Sequence, residues 1–182
     1  NNVPKYFGRT PESLIEDWNV ARKYGTEVHL EIENWIKNGT EPKDSRAVFA
    51  KSWIGGYVNK PHIKTLSEVI VFSEELGIAG TIDILMMNQN SNEYVLIDWK
   101  TSKRIDMKSY KGKMGIKKET KKIEDCNYNH YALQLSLYRY ILETYYGINI
   151  NRQIIAHLKE DGVQTYSTPY LKNEVKSMLV NT

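Results

Sequence analysis

The stretch Gly77–Lys103, GIAGTIDILMMNQNSNEYVLIDWKTSK, decides the fold. Two runs rich in aliphatic and β-branched residues, Ile78 to Met87 and Tyr94 to Thr101, flank the polar turn-formers Asn88, Gln89, Asn90, Ser91 and Asn92. That is the pattern of an antiparallel hairpin. Pairing from Met87 opposite Tyr94 makes every pair of numbers sum to 181 and sets Asp83 directly opposite Asp98. Facing Cβ atoms in such a pair lie roughly 4.5 to 5.5 Å apart. Two carboxylates that close repel, and one stays protonated unless a cation sits between them. Side-chain alternation puts Lys100 on the face of Asp98 and turns Trp99 away. A register slip of two residues keeps the shared face and a slip of one destroys it. Two acids and an ammonium converging on one point suit a divalent metal with a lysine beside it.

Working outward, 182 residues make one ordinary domain able to bury a real core, and 41% hydrophobic residues with 13 tyrosines fit a soluble α/β protein. No apolar run approaches the roughly 18 residues of a membrane span, and no basic-then-apolar leader opens the chain. An intracellular protein with no membrane partner is expected. A single cysteine, Cys126, excludes an internal disulfide framework and any four-cysteine zinc or iron–sulfur site within the chain. The start at Asn1 rather than Met suggests a chain processed or cut from something longer.

The net charge of +3 hides an asymmetry. From Lys100 to Lys122 there are ten Lys or Arg against Asp106 and Glu119, a balance of +8 that leaves −5 for the rest. Such segregation points to a polyanionic partner, although a basic run alone is more often a solvated loop.

In chain order, residues 1 to 10 read as a mobile arm. A helix is expected from Pro11, capped by Thr10, with apolar positions at Leu14, Trp18, Ala21, Val28, Ile32, Trp35 and Ile36 and an end at Asn38-Gly39. Gly25 and His29 lie one turn apart on it; alone, each is more often a packing residue than part of a site. A second helix is expected over Asp44 to Lys60, with Val48, Phe49, Trp53 and Ile54 as its apolar side and a weak point at Gly55-Gly56. A strand follows from Ser67 to Ser73, where Glu68 offers either a further carboxylate to the site or a partner for a lysine.

After the hairpin, residues 102 to 126 read as a long, partly disordered basic loop carrying Lys103, Arg104, Lys117, Lys118, Lys121 and Lys122. Lysines interleaved with Tyr110 suit a nucleic-acid backbone and its bases. A helix from Asn127 or Asn129 to Tyr146 places Gln134 and Tyr138 on one side, which taken alone is a decorated core helix. Strands Gln153 to Lys159 and Val163 to Ser167 and a short helix from Leu171 to Leu179 complete one domain over residues 1–182.

Taken together, four pieces resemble the PD-(D/E)xK nuclease superfamily and, within it, the RecB-like exonucleases. They are Gly25-Thr26-Glu27-Val28-His29 for a helical GxxxH motif, Gly80-Thr81-Ile82-Asp83 for GxxD, Asp98-Trp99-Lys100 for D/ExK and Gln134-Leu135-Ser136-Leu137-Tyr138 for QxxxY. GTIDILMM followed by VLIDWKTSK is most similar to the mitochondrial genome maintenance exonucleases and their phage and bacterial relatives. Some relatives hold an iron–sulfur cluster on four cysteines, which this chain lacks.

The resemblance implies a restriction-endonuclease-like mixed β-sheet flanked by helices and metal-assisted phosphodiester hydrolysis. It implies Mg²⁺ or Mn²⁺ on Asp83, Asp98, the Trp99 carbonyl and His29, with Lys100 beside the reacting phosphate. Gln134 and Tyr138 are implied to hold DNA or brace the site, with Glu68 and Gly25 as accessory positions. Single-stranded DNA is the implied partner; the sequence leaves open a helicase or polymerase in the same chain or complex. A structure-selective endonuclease on the same fold, or a module that binds nucleic acid without turnover, are the alternatives.

Overall fold

The structure, a computed structural model, describes residues 7–180, so most of the arm expected at the N-terminus lies outside the described residues. Helix α1 (Pro11–Asn38) starts where Thr10 Oγ1 accepts the Ser13 N–H at 3.2 Å and stops at Gly39, whose φ of 71° lets it close the last turn. Helix α2 (Ser45–Val58) is capped by Asp44, which accepts the Arg46 N–H at 2.8 Å, and it runs through Gly55-Gly56 unbroken.

Strands β1 (Ile63–Ser73), β2 (Ile78–Asn88) and β3 (Glu93–Lys100) form an antiparallel meander. Helix α3 (Asn127–Tyr145) returns the chain to β4 (Ile150–Lys159), parallel to β3, and β5 (Gly162–Ser167) pairs antiparallel with β4. Helix α4 (Lys172–Val180) packs on α3. The result is the expected mixed sheet, in the order β1-β2-β3-β4-β5, flanked by four helices among the described residues. None of those helices is long and apolar enough to cross a membrane.

The β2–β3 register runs from Asn88↔Glu93 through Met87↔Tyr94 to Ile84↔Ile97, the pairing read from the sequence. The turn is held by Asn88 Oδ1, which accepts the Asn90 N–H at 3.1 Å, and by Asn92 at φ 53°.

Two cores sandwich the sheet. Val28, Ile32, Ala47, Ala50 and Ile54 of α1 and α2 pack on Ile84, Ile97 and Trp99, and Leu135, Ile141 and Leu142 of α3 pack on Leu85, Leu96 and Ile155. Two helix faces differ from expectation. Trp18 is 62% exposed because α1, at 28 residues about 42 Å long, packs against the body only in its second half. On α2, Val48 is exposed and Ala47 and Ala50 are buried instead, because the helix approaches the sheet through its small side chains.

One irregularity interrupts the alternation of the sheet. In a regular strand Ile82, Ile84 and Met86 share a face, yet Ile82 belongs to the α3 core and Ile84 and Met86 to the α1–α2 core. Strand β1 changes phase likewise, since Ile63 packs with one core and Val69 and Val71 with the other. The step falls at Glu68 and Asp83, which face each other between the pairs Ser67↔Ile84 and Val69↔Ile82. Glu68 takes φ 52° there, a left-handed conformation that costs a non-glycine residue about 1 kcal/mol or more.

Candidate metal centre

Asp83 stands where the β2–β3 ladder ends. Beyond Ile84↔Ile97 no paired residues follow, and Asp83 Oδ2 accepts the Trp99 N–H at 2.7 Å in place of a main-chain partner. Its other oxygen lies 3.5 Å from His29 Nδ1 on α1. Glu68 completes a set: one donor atom each from His29, Glu68 and Asp83 fall within 4.8 Å of one another, all on half-buried residues.

Donors opposed across a bound ion are separated by about twice the metal–oxygen distance, roughly 4 to 5 Å from Mg²⁺ to Ca²⁺. The spacing therefore fits a cation of that class. Two carboxylates and one imidazole form a donor set open to several divalent cations, Mg²⁺, Mn²⁺ and Zn²⁺ among them.

Asp98 stands just outside this set. Lys100 Nζ lies 2.6 Å from Asp98 Oδ2 and 4.6 Å from the centre of the Tyr131 ring on α3. Trp99 points away, its buried indole edge-on to Trp53 at 5.7 Å between centroids. Asp98 is 4% exposed, and its charge is balanced by the adjacent Lys100 ammonium and, to a smaller extent, by protonated His29.

The titration of the group reflects that crowding. Burial pushes Asp98 up to about 6, Lys100 works against the rise and Asp83 adds to it. Burial also works against the charged form of His29, but the bond to Asp83 and the charges of Asp83 and Asp98 outweigh it and raise His29 above its ordinary value. Lys100 is likewise penalised by burial and raised overall by Asp98, which keeps it an ammonium. Glu68 is raised first by burial and then by Asp83.

The expected Asp83–Asp98 pair thus takes a different form. Neighbouring positions on β2 and β3 do bring both acids to one region, but the change of phase turns Asp83 toward His29 and Glu68 while Asp98 stays with Lys100. Glu68, an ambiguous position in the sequence, becomes the third member of the set.

Neither a protein-family model nor a curated protein matches the chain. Among solved structures, "Crystal structure of SSO0001" is similar over 93% of this chain and 65% of that one, with 17% identity and a TM-score of 0.42.

The remaining motif residues have packing roles around this centre. A Cβ on Gly80 would lie 2.4 Å from Tyr138 Cε1, so the absence of a side chain lets the ring sit on β2 three residues before Asp83. Gln134 Nε2 donates to Tyr138 Oη at 3.1 Å, fixing that ring from α3. A Cβ on Gly25 would lie 2.9 Å from Thr101 Oγ1, so α1 approaches closely the chain that leaves β3.

Two residues with no sequence signal hold the same corner. Arg46 Nη1 donates to Thr101 O at 2.7 Å, and buried His157, paired across the sheet with Lys100, holds Ser102 O at 2.6 Å.

The basic segment has bonds of its own. Met114 bridges Glu124, Gly115 N–H donates to Ile123 O at 2.9 Å and Thr120 N–H to Lys117 O at 2.9 Å. Lys117, Lys118, Lys121 and Lys122 are exposed on this excursion, and Lys103 and Arg104 are exposed directly after β3, with Arg104 Nε 2.9 Å from Asp106 Oδ2.

Proposed function

We propose that this chain is a metal-dependent deoxyribonuclease of the PD-(D/E)xK, RecB-like kind, acting as an exonuclease on single-stranded DNA ends. The observation that carries the proposal is one juxtaposition. A cation-sized set of His29, Glu68 and Asp83 lies at the end of the paired hairpin, with the Asp98–Lys100 ion pair alongside and a lysine-rich excursion following in the chain. The family resemblance of the four motifs supplies the choice of DNA, of strand ends and of Mg²⁺ or Mn²⁺. A helicase or polymerase in the same chain or complex remains part of the same proposal.

His29, Glu68 and Asp83 would hold the ion, with Asp98 next to them. The chemistry such an ion supplies is acidification of a water and neutralisation of charge on the phosphate. Lys100 does its part as a fixed cation: Asp98 and the Tyr131 ring hold the ammonium, which places a donor where phosphate charge builds. Asp83 ties the two halves together, because its oxygens reach both His29 and the backbone of the Asp98-Trp99-Lys100 strand. Lys117, Lys121 and Lys122 neutralise strand phosphates.

The test is digestion of end-labelled linear single strands in Mg²⁺, Mn²⁺ and EDTA, with Asp98→Asn and Lys100→Ala as controls. Cleavage is expected only with a divalent ion, and is expected to be abolished in both variants while DNA affinity is kept. Wild-type turnover in either variant refutes the assignment. Opening of a covalently closed single-stranded circle would reveal an endonuclease, and salt-dependent binding with no cleavage a binding module.

A further inference from the structure

The region beyond Gln134 holds a pocket that the proposed chemistry does not use. It lies between α3, α4, the start of β2 and the basic excursion, with a volume of about 470 Å³. That is enough for one small ring system. Ile78, Leu137 and Met178 contribute apolar walls, and Lys117, Glu119 and Gln134 the polar groups.

Glu119 is the unusual member. Its side chain is only 7% exposed although it sits among lysines, and its ion pair with the largely exposed Lys118 is long, at 3.8 Å. A carboxylate buried against apolar walls needs N–H donors close at hand. Gln134 donates one amide N–H to Tyr138, which leaves its second N–H and its amide oxygen for a ligand. The Glu119 carboxylate beside an apolar slot selects a flat ligand carrying N–H groups, and Lys117 on the same lining selects one that also carries an anion. A nucleotide with an amino-bearing base has that chemistry. Guanine fits best, because its adjacent N1–H and N2–H₂ meet both oxygens of one carboxylate.

The pocket is also linked to the metal centre through packed residues. Gln134 is bonded to Tyr138, Tyr138 packs on Gly80, and Asp83 is three residues further along β2, roughly 10 Å away. A strand with a phosphate at the metal centre could seat a base here within a few nucleotides.

We infer that this pocket takes one guanine base of the bound strand, with Glu119 accepting from its N1–H and N2–H₂ and Lys117 meeting a neighbouring phosphate. The inference rests on the nuclease reading for its strand, so binding and cleavage are measured separately. Fluorescence anisotropy in EDTA compares alternating guanine–thymine strands with hypoxanthine–thymine strands, which lack only the N2 amino group, for wild type and Glu119→Gln. Cleavage of the same strands is followed in Mn²⁺.

The expected result is about tenfold tighter binding of the guanine strand by wild type, within the discrimination of a bidentate pair, and loss of that preference in Glu119→Gln. The wild-type comparison stands even where the variant does not fold. Equal affinity for the two strands with cleavage intact overturns the pocket and leaves the nuclease. A guanine preference without cleavage keeps the pocket and overturns the nuclease. No binding of either strand overturns both.

Discussion

Glu68→Gln is expected to raise the melting temperature of the metal-free protein and to remove most of the stabilisation that a divalent ion brings. Donor oxygens of Glu68 and Asp83 lie within 4.8 Å. Two unit charges at 4.8 Å, the widest spacing this allows, repel by about 3.5 kcal/mol at an effective dielectric constant near 20 and by about 1 kcal/mol in water. Glu68 is only half-buried, so the lower figure governs. Relief of about 1 kcal/mol corresponds to roughly 2 to 4 °C for a domain of this size. Manganese at a hundred times its dissociation constant adds about 2.7 kcal/mol to the wild type, or roughly 5 to 10 °C. With one of three donors lost, less than half of that shift should remain. Thermal melts of both proteins at pH 8, in EDTA and in Mn²⁺ at equal ionic strength, check both halves. A variant that melts below wild type in EDTA, or that keeps the full manganese shift, refutes the reasoning.

Asp98 and His29 bind protons more readily folded than unfolded, so both favour the metal-free fold at low pH. The Asp98 contribution is complete below about 4 and is lost as pH rises through about 6. Melts in EDTA should therefore gain stability from pH 8 to 5 while protection by Mn²⁺ declines; a metal-free melting point that drops steadily toward pH 5 contradicts this. Gly80→Ala should cost about 1 to 3 kcal/mol through the clash with Tyr138 and almost nothing in a Tyr138→Ala background, as measured by urea unfolding of the four proteins. An equal cost in both backgrounds would show that the ring is not what Gly80 accommodates. Neutralising Lys117, Lys118, Lys121 and Lys122 together should weaken single-strand binding and flatten its salt dependence by up to about 3 in log–log slope. An unchanged slope would leave the excursion a linker.

The hairpin was legible because two local signals agree: five turn-formers over Asn88–Asn92 and apolar runs whose pairing keeps Leu85, Leu96 and Ile97 inside. The helix ends were legible for the same reason, through Thr10, Asp44 and Gly39. The site was only half legible. Strict alternation sets Asp83 against Asp98, and nothing in the residues around Glu68 announces a left-handed backbone there, because a glutamate adopts it only where surrounding structure imposes it. Tyr131, Arg46 and His157 reach the site through tertiary packing alone. Gly25 and Gly80 were visible as motif letters, but their physical reason, room for Thr101 and for Tyr138, exists only in the folded chain.

The central claim is that a divalent cation sits among His29, Glu68 and Asp83 where β2 and β3 stop pairing. Diffraction from crystals soaked in Mn²⁺, recorded at the manganese absorption edge, tests it most directly. An anomalous peak is expected within bonding distance of His29 Nδ1 and of the Glu68 and Asp83 carboxylates, and no such peak in Asp83→Asn. Wild-type crystals that take up manganese elsewhere, or leave this position without a peak at saturating concentration, would contradict it.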